Sequence, residues 1–311
     1  KEGRVTGKPA GIEMGRRANK RGGSFLRKLL LFLFFAAAAF VVFLYWDDIG
    51  PGRGRAPQDN SVMPEVTGPE TPSSPKTGAA KGTPAVPVAK PSYKVAVVID
   101  DMGKDMASIT RLLKLDTPVT VAVLPFLKHS KDVANFAHEG GLEVLLHIPM
   151  EPKDLAENDP GKGALLVNMK IDDIRSVLNA DMDEVPYITG VNNHMGSRFT
   201  EDASLMKEVL AAVKERGFFF LDSKTTDKSK ALSIAKKAGV KSVGRDVFLD
   251  NEQDKEYIKG QFRELMAIAK KRGKAIAIGH PHAATLAALK EMIPEFKREG
   301  IEIVRVGELL E

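Results

Sequence analysis

The chain has 311 residues, 46 Lys and Arg against 41 Asp and Glu, a formal charge of +5 and no cysteine. The missing thiols exclude disulfides and thiolate metal sites, and they are compatible with an envelope location without requiring one. The basic excess lies largely in residues 1–28, nine Lys or Arg against Glu2 and Glu13, and anionic lipid at an inner leaflet accounts for it better than nucleic acid does.

After this basic arm, residues 29–46 read LLLFLFFAAAAFVVFLYW, 18 positions without a charge. About 20 apolar residues cross a bilayer, and Tyr45 and Trp46 suit the membrane–water interface at the far end. The run exceeds the apolar region of a secretory signal, and no small-x-small cleavage site follows it. It reads as an uncleaved, single-pass anchor in the inner membrane, with the basic arm cytoplasmic and the rest periplasmic or outside the cell. Residues 47–92 hold nine of the 18 prolines and form an extended tether that cannot bury a core. The folded domain is residues 93–311.

Within that domain, apolar runs alternate with amphipathic ones. YKVAVVI precedes the helical ASITRLLKL, VTVAVL precedes KDVANFAHEG, and LEVLLHI precedes a Pro-rich loop and IDDIRSVLNADM. YITGV, GFFFL and VKSVG precede helices near 203–216, 228–238 and 254–272. KAIAIG precedes a helix over 283–298, and IEIVRV closes the series. Strands apolar on both faces belong to a parallel sheet covered by helices, and the alternation implies βαβ units. Seven or eight of them predict an α/β fold, an irregular (β/α) barrel, whose chemistry gathers at the strand C-termini.

The strand ends are where the polar residues stand. Asp100 and Asp101 follow the first strand, and adjacent carboxylates can divide metal binding and proton transfer between them; a helix cap needs only one. His147 ends the third strand with Glu151 just beyond, and GVNNHMGS places His194 after the fourth. The glycines and asparagines of that motif predict a tight strand-to-helix turn. Asp222 and Ser223 follow the fifth strand, and His280 and His282 follow KAIAIG. A carboxylate with two imidazoles is a sound set for Zn²⁺ or a similar divalent ion with an open position. His129, in a lysine-rich loop, and His138, on a helix, are expected to be surface residues.

VVIDDMG, LLHIPMEP, NNHMGS, LDSKTT and IGHP, in this order at these strand ends, resemble the divergent polysaccharide deacetylase family, which is related to carbohydrate esterases with a NodB-type domain. The resemblance spans residues 93–311. It implies a distorted NodB-like barrel with a divalent metal at the strand C-termini. Carried over residue by residue, Asp100 is the general base, Asp101, His147 and His194 are the metal ligands, His280 is the general acid, and Asp222 orients His280 or the base. The two ligand histidines stand 47 positions apart rather than in one H-x-x-x-H motif. The family's Arg-x-Pro-aromatic motif has no obvious match, Arg198 being the nearest basic residue. The implied activity is metal-dependent removal of acetyl groups from an envelope polysaccharide or peptidoglycan. A tethered glycan-binding or scaffold module that retains the metal pocket is the alternative.

Overall fold

The structure is a computed structural model that describes residues 93–310. The basic arm, the anchor over 29–46 and the tether over 47–92 lie outside the described residues. Among the described residues, nine strands form one parallel sheet: β1 (Tyr93–Met102), β2 (Thr120–Val123), β3 (Glu143–Met150), β4 (Ile188–Met195), β5 (Phe219–Asp222), β6 (Ser242–Gly244), β7 (Val247–Phe248), β8 (Lys274–Gly279) and β9 (Ile301–Val304). Eight of them match the expected apolar runs. The ninth, β7, has two residues, too few to show a hydrophobic period.

The strands follow the order β6-β5-β4-β3-β2-β1-β8-β7, and β9 pairs with the first half of β1. Curvature is evident from the interior, where Ala96 and Val98 of β1 share one apolar cluster with Leu145 of β3, Phe219 and Leu221 of β5, and Ile276 and Ile278 of β8. The two ends of the path, β6 and β7, do not pair with each other. The result is a partial barrel with one open seam. Arg245 and Asp246 span it: the Arg245 amide donates to Asp222, and the Asp246 amide to Ile276. The outer face packs against seven helices, α1 (Met106–Leu113), α2 (Ser130–Glu139), α3 (Ile171–Glu184), α4 (Ala203–Glu215), α5 (Ala231–Ala238), α6 (Lys255–Arg272) and α7 (Ala283–Arg298). Aspartates at positions 105, 202 and 254 begin α1, α4 and α6, and each accepts a bond from a first-turn amide, which fixes where these helices start.

Two glycines of GVNNHMGS are required sterically. A Cβ at Gly190 would lie 2.6 Å from the Phe219 ring, so the glycine lets that ring fill the barrel floor. Gly196 has φ +81, and a Cβ there would lie 2.9 Å from Met150. Positive φ in this motif is confined to Met195 and Gly196, and the turn follows at Ser197 and Arg198. Asn192, Asn193 and His194, expected in the turn, belong to β4 and pair in register with His147, Ile148 and Pro149.

One buried group sits outside this scheme. Asp181, on α3, is 0 % exposed, and neither of its carboxylate oxygens has a hydrogen-bond partner. Gly163, in the loop between β3 and α3, packs directly on it. Desolvation pushes the Asp181 carboxyl up from 3.8 to about 8. A carboxyl raised on folding favours the folded state below its unfolded value, and that contribution is lost as pH rises through the folded value. The loss amounts to about 4 kcal/mol at pH 7 as an upper bound. Asp181→Asn should therefore raise the melting temperature at pH 8 and leave it nearly unchanged at pH 4; an equal gain at both would refute a titrating origin.

Candidate metal centre

Side chains alternate across a strand, so the interior positions of each strand can be followed upward to the barrel mouth. Ala96 and Val98 lead to Asp100, Leu145 leads to His147, and Gly190 leads to Asn192 and His194. Leu221 leads to Ser223, and Ile276 and Ile278 lead to His280. Asp101 breaks the alternation. The β1–β2 register shifts between Ile99 and Met102, and Asp101 has φ +57, which turns the second carboxylate of the pair toward the same mouth.

There, Asp101 Oδ1 lies 3.0 Å from His194 Nδ1 and 3.3 Å from His147 Nε2. The two nitrogens are 3.2 Å apart. A tetrahedral zinc ion with bonds of about 2.0–2.1 Å has ligand-to-ligand edges of about 3.3–3.4 Å. Three donor atoms thus form a triangle of the size of one face of a coordination polyhedron. Asp101 Oδ1 is also buried without an aligned hydrogen-bond donor, a costly state for a carboxylate unless a cation completes it. These residues fit a divalent metal.

The surrounding bonds hold the triangle in place. Asn192 is fully buried. Its Oδ1 lies 2.8 Å from His147 Nδ1, and its Nδ2 donates to Asp100 Oδ1 at 2.9 Å and to Ser223 Oγ at 3.3 Å. With the Nδ1 proton directed to Asn192, the lone pair of His147 falls on Nε2, inside the triangle. Asn193 Oδ1 accepts from the Ser223 amide at 2.9 Å, and Asn193 Nδ2 donates to the Met195 carbonyl at 2.8 Å, joining the end of β4 to that of β5. Glu151 stands apart from the triangle, where it accepts from the Val167 amide and pairs with Arg198.

Charge is tightly managed. Burial alone would raise Asp101, but His147 and His194 outweigh it and hold the carboxyl well below the usual range. Burial lowers His194. His147 is also penalised by burial, yet Asp100 and Asp101 raise it overall. Asp100, 3 % exposed, is pushed up by burial, which His147 and His280 oppose without cancelling. Its Oδ2 is 3.6 Å from His147 Nε2, next to the triangle and free of the Asn192 bond.

His280 is held by Asp250 instead of Asp222. Asp250 Oδ1 lies 3.0 Å from His280 Nδ1, while Oδ2 accepts from the His280 amide and from Thr285 Oγ1, each at 2.7 Å. Burial disfavours the His280 cation, but Asp250 outweighs it and raises the imidazole. Asp222 follows the interior residue Leu221 and so faces the helix side, where it accepts from the Lys224 amide and Ser229 Oγ. Asp250 follows the two-residue β7, and no period in the sequence marked it. His129 starts α2 beside Asp132, and His138 stacks on Tyr187, both away from the triangle. Asp250→Asn should lower the His280 pKa in an NMR titration, whereas Asp222→Asn should leave it in place; the opposite pattern would return the orienting role to Asp222.

A family model for divergent polysaccharide deacetylases matches residues 97–310. An uncharacterised Escherichia coli K12 protein, YibQ, is 37% identical over 217 residues, which cover 70% of this chain and 67% of that protein. An uncharacterised protein of Haemophilus influenzae is 34% identical over 216 residues, covering 70% and 76%. Among solved structures, an uncharacterised protein of Agrobacterium tumefaciens C58 superposes with a TM-score of 0.67 at 28% identity, over 71% of this chain and 93% of that one.

Proposed function

The chain belongs to the divergent polysaccharide deacetylase family, and on that premise we propose that it is a metal-dependent hydrolase removing acetyl groups from an N-acetylated envelope polysaccharide or peptidoglycan glycan. The observation that carries this reading is the triangle of Asp101 Oδ1, His147 Nε2 and His194 Nδ1. One carboxylate and two imidazoles with an open position favour zinc. When bound, such an ion supplies Lewis acidity toward water and toward the amide carbonyl.

The chain's own groups supply the proton transfers. Asp100, with Oδ1 held by Asn192 and Oδ2 facing the triangle, takes a proton from the attacking water. Its upward shift brings it closer to the operating pH of a general base. His280, its Nδ1 fixed by Asp250, keeps Nε2 as the exchanging atom and protonates the leaving amine. The upward shift, which Asp250 causes against burial, favours the charged imidazole, the form that carries the proton the amine needs. The uncharged run over 29–46 and the Pro-rich stretch over 47–92 support a domain tethered outside the inner membrane, within reach of wall glycan.

Acetate release by the zinc-loaded full chain, from acetylated chitooligosaccharide and from peptidoglycan, tests the proposal. Asp101→Asn should abolish it, and His280→Ala should lower kcat by about 10²–10⁴. Glycan binding without release would establish the non-catalytic module instead, and tight zinc binding undiminished in His194→Ala would sink the ligand assignment. Asn192→Leu, which frees the His147 tautomer, should weaken zinc binding by about 10–100-fold; unchanged affinity would reduce Asn192 to a packing residue.

A further inference from the structure

At the end of β8, the strand next to β1, stands a second Asp-His-His set. One donor atom each from Asp250, His280 and His282 lies within 4.8 Å of the other two. Asp250 Oδ1 and His280 Nδ1, 3.0 Å apart, are already at the spacing of neighbouring ligands. Asp250 Oδ2 is engaged by the His280 amide and Thr285, so Oδ1 is the oxygen with a lone pair to give.

His282 is the adjustable member. It occupies the N-cap position of α7 without making a side-chain cap bond, and Gln253 is its hydrogen-bond neighbour, Nε2 to Nε2 at 3.3 Å. Because an amide NH₂ can only donate, that nitrogen of His282 presents a lone pair. A modest swing of this partly exposed ring closes the set.

We propose that Asp250, His280 and His282 form a second, weaker zinc site whose occupation switches off the general acid. Binding there displaces the proton shared between His280 Nδ1 and Asp250 to solvent. The ring then cannot become an imidazolium, and so has no readily released proton on Nε2 for the leaving amine. Two features make the site weaker than the triangle: the ion must compete with that proton, and it lies beside the N-terminus of α7, whose dipole disfavours cations. The inhibitory consequence rests on the proposed hydrolase reading; the binding itself does not.

Zinc titration of the chelator-stripped full chain, followed by calorimetry and by acetate release, tests this. Two binding events are expected, the weaker coinciding with a fall in rate of about a hundredfold. His282→Ser removes the imidazole and gives α7 a favoured cap residue. It should keep the tight event and the full rate at stoichiometric zinc, and lose both the weak event and the inhibition. A single event in the unaltered chain, abolished by His194→Ala, overturns this inference and leaves the proposed function standing. A weak event that survives in His282→Ser overturns it too. A single event in the unaltered chain, abolished by His282→Ser and untouched by His194→Ala, would strike the proposed function and spare the second site.

Discussion

Alternation of side chains across a strand governs this molecule. In a curved parallel sheet one face of each strand meets the barrel interior and the other meets the helices. The interior face begins apolar, with Ala96, Val98, Leu145, Leu221, Ile276 and Ile278. On that same face, at the C-terminal ends, stand Asp100, His147, Asn192, Ser223 and His280. The apolar floor excludes water from beneath the site and fixes the strand ends as a rigid frame. Buried ionisable groups persist there because each has a partner: Asp100 with Asn192, His147 with Asn192, and Asp250 with His280 and Thr285.

Asp101 is the exception that the site needs. Regular alternation would send it to the helix side, away from His147. The register shift in β1 and the positive φ return it to the mouth. A non-glycine residue in that conformation costs on the order of 1–3 kcal/mol, and such strain persists where the surroundings over-determine it. The strain and the unbonded Oδ1 occur in one residue, the one that completes the triangle. A chain selected for stability alone would relax both, by a regular strand and a solvated carboxylate.

Most of the architecture was legible in the residues. Eight apolar runs matched strands to within a few positions, and the helices between them began where Asp105, Asp202 and Asp254 could cap them. What escaped has physical causes. β7 is too short to carry a period, so Asp250, two residues after it, had no strand to place it. Asp222 adjoins Ser223 in sequence but lies on the opposite face of β5, and a motif read as a string hides that difference. Asn192 resembled a turn residue because Asn and Gly share turn preferences. Its place in β4, opposite His147, depends on a ladder register that no single strand reveals.

That register matters because an amide side chain is polar in a directional sense, with one accepting oxygen and one donating nitrogen. Its Oδ1 against His147 Nδ1 demands a proton on that nitrogen, which leaves Nε2 bare for a cation. Its Nδ2 against Asp100 demands an accepting oxygen at Oδ1. One side chain therefore specifies the tautomer of a metal ligand and which oxygen of the adjacent base is left free to face it. Reversing the amide would place a proton on His147 Nε2, inside the triangle, and an oxygen against the Asp100 carboxylate. An aspartate at 192 would keep the first bond and repel Asp100; a leucine would keep neither. Ser223 Oγ, 3.3 Å from Asn192 Nδ2, offers that nitrogen a second acceptor. The ladder pairing of β4 with β3 thus carries chemical information: it delivers one amide to the point where ligand and base meet, in the sense that serves both.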